Sequence, residues 1–218
     1  MLPVQFPGAI GRPLRVLCLG AHSDDLEIGC GGTVLHLLRR YPGLTCTWVV
    51  FSGEGQRRHE AEAGAAAFLA GAGATRVSVL RFRDGFFPEQ WGRIKEAVEE
   101  LKAQEPPDVI LTHHRYDRHQ DHRILADLTW NAWRNHLILG YEIPKYEGDL
   151  GHPNLYVPVD HEVADLKVEN LMHLFETQRS RSWFDRETFL GLLRLRGVEC
   201  ASPSGYAEAF HAAKLTLT

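Results

Sequence analysis

Two short clusters of side chains with metal-binding chemistry stand out, Ala21-His22-Ser23-Asp24-Asp25-Leu26-Glu27 and His119-Gln120-Asp121-His122. His22 and Asp25, spaced i and i+3, can meet on one side of a turn, and His122 can join them from the second cluster. Two imidazoles and one carboxylate make a three-ligand set that leaves a position open on zinc, where a bound water has its pKa lowered to about 7. Asp24 would then stand beside the ion as a general base for that water. His119 precedes His122 closely enough to point into the same cavity without being a ligand; as an imidazolium it would stabilise an oxyanion and protonate a departing amine. Asp121 has two readings: it fixes the tautomer and charge of His119, or it stands behind a metal ligand, as carboxylate partners of imidazoles do. The chemistry these types support is metal-assisted hydrolysis.

The chain has 12 histidines, so a lone one carries little weight. Asp24 or Asp25 in isolation would read as a helix N-cap. The pairing of two clusters outweighs that reading. His59, His113 and His114 lack a carboxylate-bearing partner motif and read as structural or rim residues.

The elements that must position these residues alternate between short apolar runs and longer amphipathic stretches, the pattern of a mostly parallel α/β sheet. Strands are expected at 15–20, 44–51, 76–82 and 108–112. Helices are expected from Thr33 to the Pro42-Gly43 stop, over 58–69 and over 91–101, with the Gly-punctuated GCGG as the lead into the first. The first half therefore reads βαβαβαβ, and both clusters fall just past the carboxyl ends of strands, where open parallel sheets place their ligand crevice. A turn-rich stretch, 140–154, precedes a helix expected over 162–178; loops of that length tend to be functional. Asp84, Trp91 and Trp183 read as turn and core residues. With 218 residues and no linker or repeat, the chain reads as one domain, 1–218, with 1–13 as an N-terminal extension.

Composition narrows the partners. The net charge of -4 and the lack of a Lys/Arg run exclude the electrostatic footprint of a nucleic-acid binder. No segment approaches the ~18 uninterrupted apolar residues of a membrane span. The start carries Pro3, Pro7, Gly8 and Gly11 where a signal peptide would need an apolar run, so a cytoplasmic protein with small-molecule partners is expected. Cys18, Cys30, Cys46 and Cys200 form no Cys-x-x-Cys pair and read as reduced, with Cys18 and Cys46 packed inside strands.

AHSDDLE and HQDH together resemble the paired signatures of the PIG-L/LmbE-type N-acetylglucosaminide deacetylases, usually Ala-His-Pro-Asp-Asp-x-Glu and His-x-Asp-His. The resemblance takes in GCGG, Ser52-Gly53-Glu54, residues 57–60 and Glu208-Ala209-Phe210, nearly the whole chain. It implies a Rossmann-like three-layer α/β sandwich, and Zn2+, one per chain, with other divalent metals admissible. His22, Asp25 and His122 would be the ligands, Asp24 the base, and His119 the residue that polarises an acetyl carbonyl. It also implies the substrate class: an N-acetylglucosamine-type glycoside, sugar nucleotide or conjugate, deacetylated to a free amine and acetate. Arg57, or equally Arg58, would turn to substrate hydroxyls or phosphate, and Tyr141, Tyr146 and Asn154 could suit a sugar ring. A homo-oligomer is implied by analogy alone. Two departures matter: Ser23 replaces proline, which loosens the loop holding Asp24, and Tyr116 is offset from a tyrosine that assists the oxyanion in some members, so it receives no catalytic role. The rivals are a zinc amidase or esterase acting on a larger non-sugar conjugate, a metal-binding scaffold without activity, and a Rossmann-like metal- or nucleotide-binding module in which GCGG cradles phosphate. Against the last, no Gly-x-Gly-x-x-Gly follows the first strand and no Gly-Lys-Ser/Thr loop occurs.

Overall fold

Strand β1 (Arg15–Gly20) is apolar on both faces: Val16 and Cys18 enter one core, Leu17 and Leu19 another. That is how a strand reads when helices cover it on both sides. The computed structural model, which describes Pro3 and residues 12–215, bears this out. β2 (Thr45–Val50), β3 (Ala74–Val79), β4 (Val109–His113) and β5 (Leu137–Tyr141) join β1 in parallel. β6 (Leu155–Pro158) and β7 (Ala207–Ala213) add antiparallel pairings, and the sheet runs β3-β2-β1-β4-β5-β7-β6.

The helices are α1 (Asp25–Arg40), α2 (Gly55–Phe68), α3 (Trp91–Lys102), α4 (Gln120–Ala132), α5 (His161–Leu174) and α6 (Arg186–Glu199). One core takes Leu26, Phe68, Leu171 and Leu193 from α1, α2, α5 and α6; the other takes Ile94, Val98 and Leu125 from α3 and α4. The result is the expected three-layer α/β sandwich with a mostly parallel sheet. From β1 the chain winds outward through β2 to β3, then crosses back to place β4 on the other side of β1. The carboxyl ends of β1 and β4 therefore flank the switch point where such sheets bind ligands.

Several expectations shift. GCGG is no connection: α1 begins at Asp25 and runs straight through Gly29, Gly31 and Gly32. Glycine normally weakens a helix interior by roughly 1 kcal/mol, but here neighbours fill the space a Cβ would need. The Tyr141 ring lies over Gly29, Phe68 over Gly31, and Glu208 Oε1 would be 2.9 Å from a Cβ at Gly32. Glu208 also accepts from the backbone N–H groups of Gly32 (2.8 Å) and Thr33 (2.7 Å), and pairs with the buried Lys167 (2.6 Å), tying β7 to α1 and α5. β3 starts and ends earlier than 76–82, and the helix expected over 162–178 closes at Leu174, followed by a 3-10 turn at Glu176–Gln178. The expected extension at 1–13 lies almost wholly outside the described residues. All four cysteines are buried and free, with Cys18 Sγ and Cys46 Sγ 3.8 Å apart on adjacent strands. Among the described residues no helix is long and apolar enough to cross a membrane.

Candidate metal centre and active site

β1 stops at Gly20, the chain turns through 21–24, and α1 starts at Asp25, so the first cluster straddles a strand end and a helix start. Asp24 occupies the N-cap position but its side chain caps nothing. The helix-cap reading therefore fails for it. The second cluster is built the same way past β4: His119 is the N-cap of α4, its Nδ1 accepting from Asp121 N at 3.3 Å, and His122 lies in the first turn.

These two turns bring three donors to one point. His22 Nδ1 is 3.1 Å from His122 Nε2 and 3.4 Å from Asp25 Oδ2, and His122 Nε2 is 3.4 Å from Asp25 Oδ1. Ligands bound tetrahedrally to zinc at its usual bond lengths sit about 3.3 Å apart. The donor set fits that ion in type and number, and each imidazole nitrogen lies near that spacing from the other and from one of the two Asp25 oxygens.

The outward nitrogens explain how the rings are held. His22 Nε2 meets Asp121 Oδ2 at 3.1 Å and Asp84 Oδ1 at 3.1 Å, while His122 Nδ1 meets Asp117 Oδ2 at 2.9 Å. A carboxylate on one nitrogen places the proton there and leaves the other bare for a metal. Asp121 thus partners the ring of His22 rather than that of His119, and it is fixed by backbone N–H groups of Gly85 (2.7 Å) and Phe87 (3.1 Å). Asp117 is fully buried, accepts from His119 N at 2.8 Å, and meets Lys145 Nζ at 3.1 Å. Lys145 and Asp149, which pair at 2.7 Å, come from the long turn-rich loop, so that loop braces the second cluster from behind.

Asp24 lies buried beside the donors, with Arg57 Nη2 3.7 Å from its Oδ1. Burial above all, and then the neighbouring Asp25, push its carboxyl up to about 6. The His119 ring stands edge-on to His22 at 4.9 Å and lies 4.5 Å from His122, half-buried, with Nδ1 committed to the backbone and Nε2 turned to no protein partner among the described residues. Burial and the two neighbouring rings hold its pKa below the usual histidine value.

Arg57 and Arg58 separate cleanly. Arg57 Nη1 donates to Asp84 Oδ2 at 2.5 Å at the mouth of the cluster. Arg58 turns away, donating to Val79 O at 3.0 Å and pairing with Glu62 at 2.8 Å. Asp84 is no plain turn residue; its hydrogen bond to His22, helped by Arg57, holds its carboxyl well below the ordinary range. Tyr141 cannot serve a sugar ring, because it is fully buried and donates to Leu19 O at 2.8 Å. Asn154 is occupied by the backbone of Ala212 on both sides of its amide. Trp91 is half exposed rather than core, and Trp183 packs at the core's edge. Asp84, Asp117 and His113 were missed by sequence reasoning, and only His113, next to the end of a strand, carried a local signal. His59 is exposed, as a rim residue would be.

The family profile described as PIG-L, GlcNAc-PI de-N-acetylase, matches residues 17–133, which contain both clusters. A protein of Escherichia coli described as uncharacterized deacetylase YaiS is 32% identical over 139 residues, covering 59% of this chain and 74% of that protein. The fold is similar to N,N'-diacetylchitobiose deacetylase from Pyrococcus horikoshii (TM-score 0.69, 20% identity, 96% of this chain and 87% of that one). It is equally similar to GalB, a 4-carboxy-2-hydroxymuconate hydratase from Pseudomonas putida (TM-score 0.71, 18% identity, 94% of this chain and 98% of that one). The sandwich thus hosts more than one reaction, and the site must decide among them.

Proposed function

The chain belongs to the GlcNAc-PI de-N-acetylase family, and on that premise we propose that it hydrolyses the acetamide of an N-acetylglucosamine-type sugar or conjugate to acetate and a free amine. The observation that carries the proposal is the convergence of His22 Nδ1, Asp25 and His122 Nε2 within 3.1–3.4 Å of one another beside an uncapped Asp24. These three residues would hold zinc. Bound there, zinc would supply a Lewis acid for the acetyl carbonyl and would lower the pKa of a bound water to about 7.

Asp24, buried and raised toward neutrality, takes the proton of the attacking water. His119 donates Nε2–H to the acetyl oxygen as charge builds on it. Because Nδ1 already accepts from Asp121 N–H, His119 has a single ring proton to offer. The proton collected by Asp24 is therefore the one passed to the departing nitrogen, in place of the imidazolium donor expected from sequence. Asp121 and Asp117 act through His22 and His122 as positioning residues. At the mouth, Arg57 and Asp84 offer a donor and an acceptor side by side, suited to neighbouring ring hydroxyls.

The phosphate-cradle alternative loses its basis, since GCGG is helix interior with its Cβ space filled. A cytoplasmic setting is supported by four buried thiols left free, and one domain over 1–218 by the single continuous sheet. The test is release of acetate and amine from a panel of N-acetylglucosamine derivatives, with and without chelator. Chelator-sensitive release of both products is expected. Release only of larger acids, from amides or esters outside the panel, would favour the zinc amidase or esterase instead.

A further inference from the structure

His113 closes β4 and is fully buried, yet it has no place in the proposed reaction. Its Nε2 accepts the backbone N–H of Ala21 at 3.1 Å and lies 3.1 Å from Asp25 Oδ2. Ala21 leads into the turn that carries His22, so this one atom from β4, its lone pair taken by Ala21 N–H, holds the start of that turn. The flat of the same ring packs on His122, centroids 3.8 Å apart and planes inclined by only 15°. His113 is thus in contact with two of the three donors and with the backbone leading to the third.

We propose that His113 is a positioning residue of the metal centre: its Nε2 holds the start of the His22–Asp25 turn through Ala21 N–H, and its ring sets the tilt of His122 against it. The far end of the turn is closed by Asp25 Oδ2, which takes the His22 N–H at 2.6 Å. Without His113 Nε2, Ala21 N–H loses its acceptor and the strand end leading to His22 is free to shift. Residues behind the ligands are generally worth about 10–100-fold in metal affinity.

This inference rests on the zinc-site reading above. Its test compares zinc affinity, by competition with a chelator, and the visible spectrum of the cobalt(II)-loaded protein for the unaltered chain and for His113→Phe. Phenylalanine keeps the stack on His122 and removes Nε2. The expected result is zinc binding weaker by about 10–100-fold and a cobalt spectrum altered from that of the unaltered chain, with the melting temperature confirming the fold. Unchanged affinity and spectrum in His113→Phe, while the unaltered chain binds zinc, would overturn the inference and leave the proposed function standing. An unaltered chain that takes up no zinc would overturn both. Should His113→Phe not fold, His113→Gln, whose amide reaches the Nε2 position, is compared with His113→Asn, whose amide stops short. Retention in the first and loss in the second supports the inference; equal, unaltered affinity in both overturns it.

Discussion

Asp117 Oδ2 lies 2.9 Å from His122 Nδ1, and this contact determines which nitrogen His122 turns toward His22 and Asp25. Asp117→Ala removes the anchor and leaves the ring free to rotate or change tautomer. Zinc affinity is expected to fall by about 10–100-fold, read by chelator competition, with Asp117→Asn intermediate because its amide oxygen can still accept from Nδ1–H. Equal affinity in all three proteins would show that the contact does not orient the ligand.

Asp24 and His119 are expected to separate binding from turnover. Asp24→Asn should retain zinc and lose about 10²–10⁴-fold in kcat, the span of a general-base contribution. His119→Ala should also retain zinc and lose about 10²–10³-fold, as for removal of one oxyanion donor. Full activity in Asp24→Asn would remove the base from the proposed reaction.

His211, on β7, stacks on His114 with centroids 4.7 Å apart, and burial first, then His114, Arg196 and His152, bring its pKa down to about 4. The fold accommodates the neutral ring, whereas the unfolded chain takes up a proton near pH 6.5. Stability from this group is complete above that pH and is lost as pH falls through the window toward about 4. His211→Phe keeps the stack and cannot titrate, so its melting temperature should decline less between those pH values. Parallel curves for the two proteins would assign the acid sensitivity elsewhere.

Gly29 tests the fold itself. A Cβ there would overlap the buried Tyr141 ring, and overpacking of this kind typically costs about 1–3 kcal/mol. Gly29→Ala should lower the melting temperature, and Gly29→Ala with Tyr141→Leu should recover part of the loss. An unchanged melting temperature in Gly29→Ala would mean the ring gives way at no cost.

What the sequence revealed follows from how local each signal was. His22 with Asp25, and His119 with His122, sit one turn apart, so side-chain type and spacing were enough. Asp84 reaches His22 from the turn after β3, whereas Asp117 reaches His122 from five residues earlier in the same connection, and a single carboxylate in a turn looks like any other. The glycines of α1 read as a connection because the rings that exclude a Cβ, Tyr141 and Phe68, lie far off in sequence. Tyr141 read as a loop residue because it ends β5 just where the turn-rich stretch begins. β6 and β7 are antiparallel additions at one side of the sheet, with β6 only partly covered, so neither shows the continuous apolar run that made β1, β2 and β4 visible.

A zinc centre built by His22, Asp25 and His122 must show in the zinc content per chain, measured by elemental analysis after reconstitution. About one zinc per chain is expected in the unaltered protein and in Asp24→Asn, and next to none in His122→Ala. An unaltered protein that holds no zinc, or a His122→Ala protein that holds as much as the unaltered one, would contradict it.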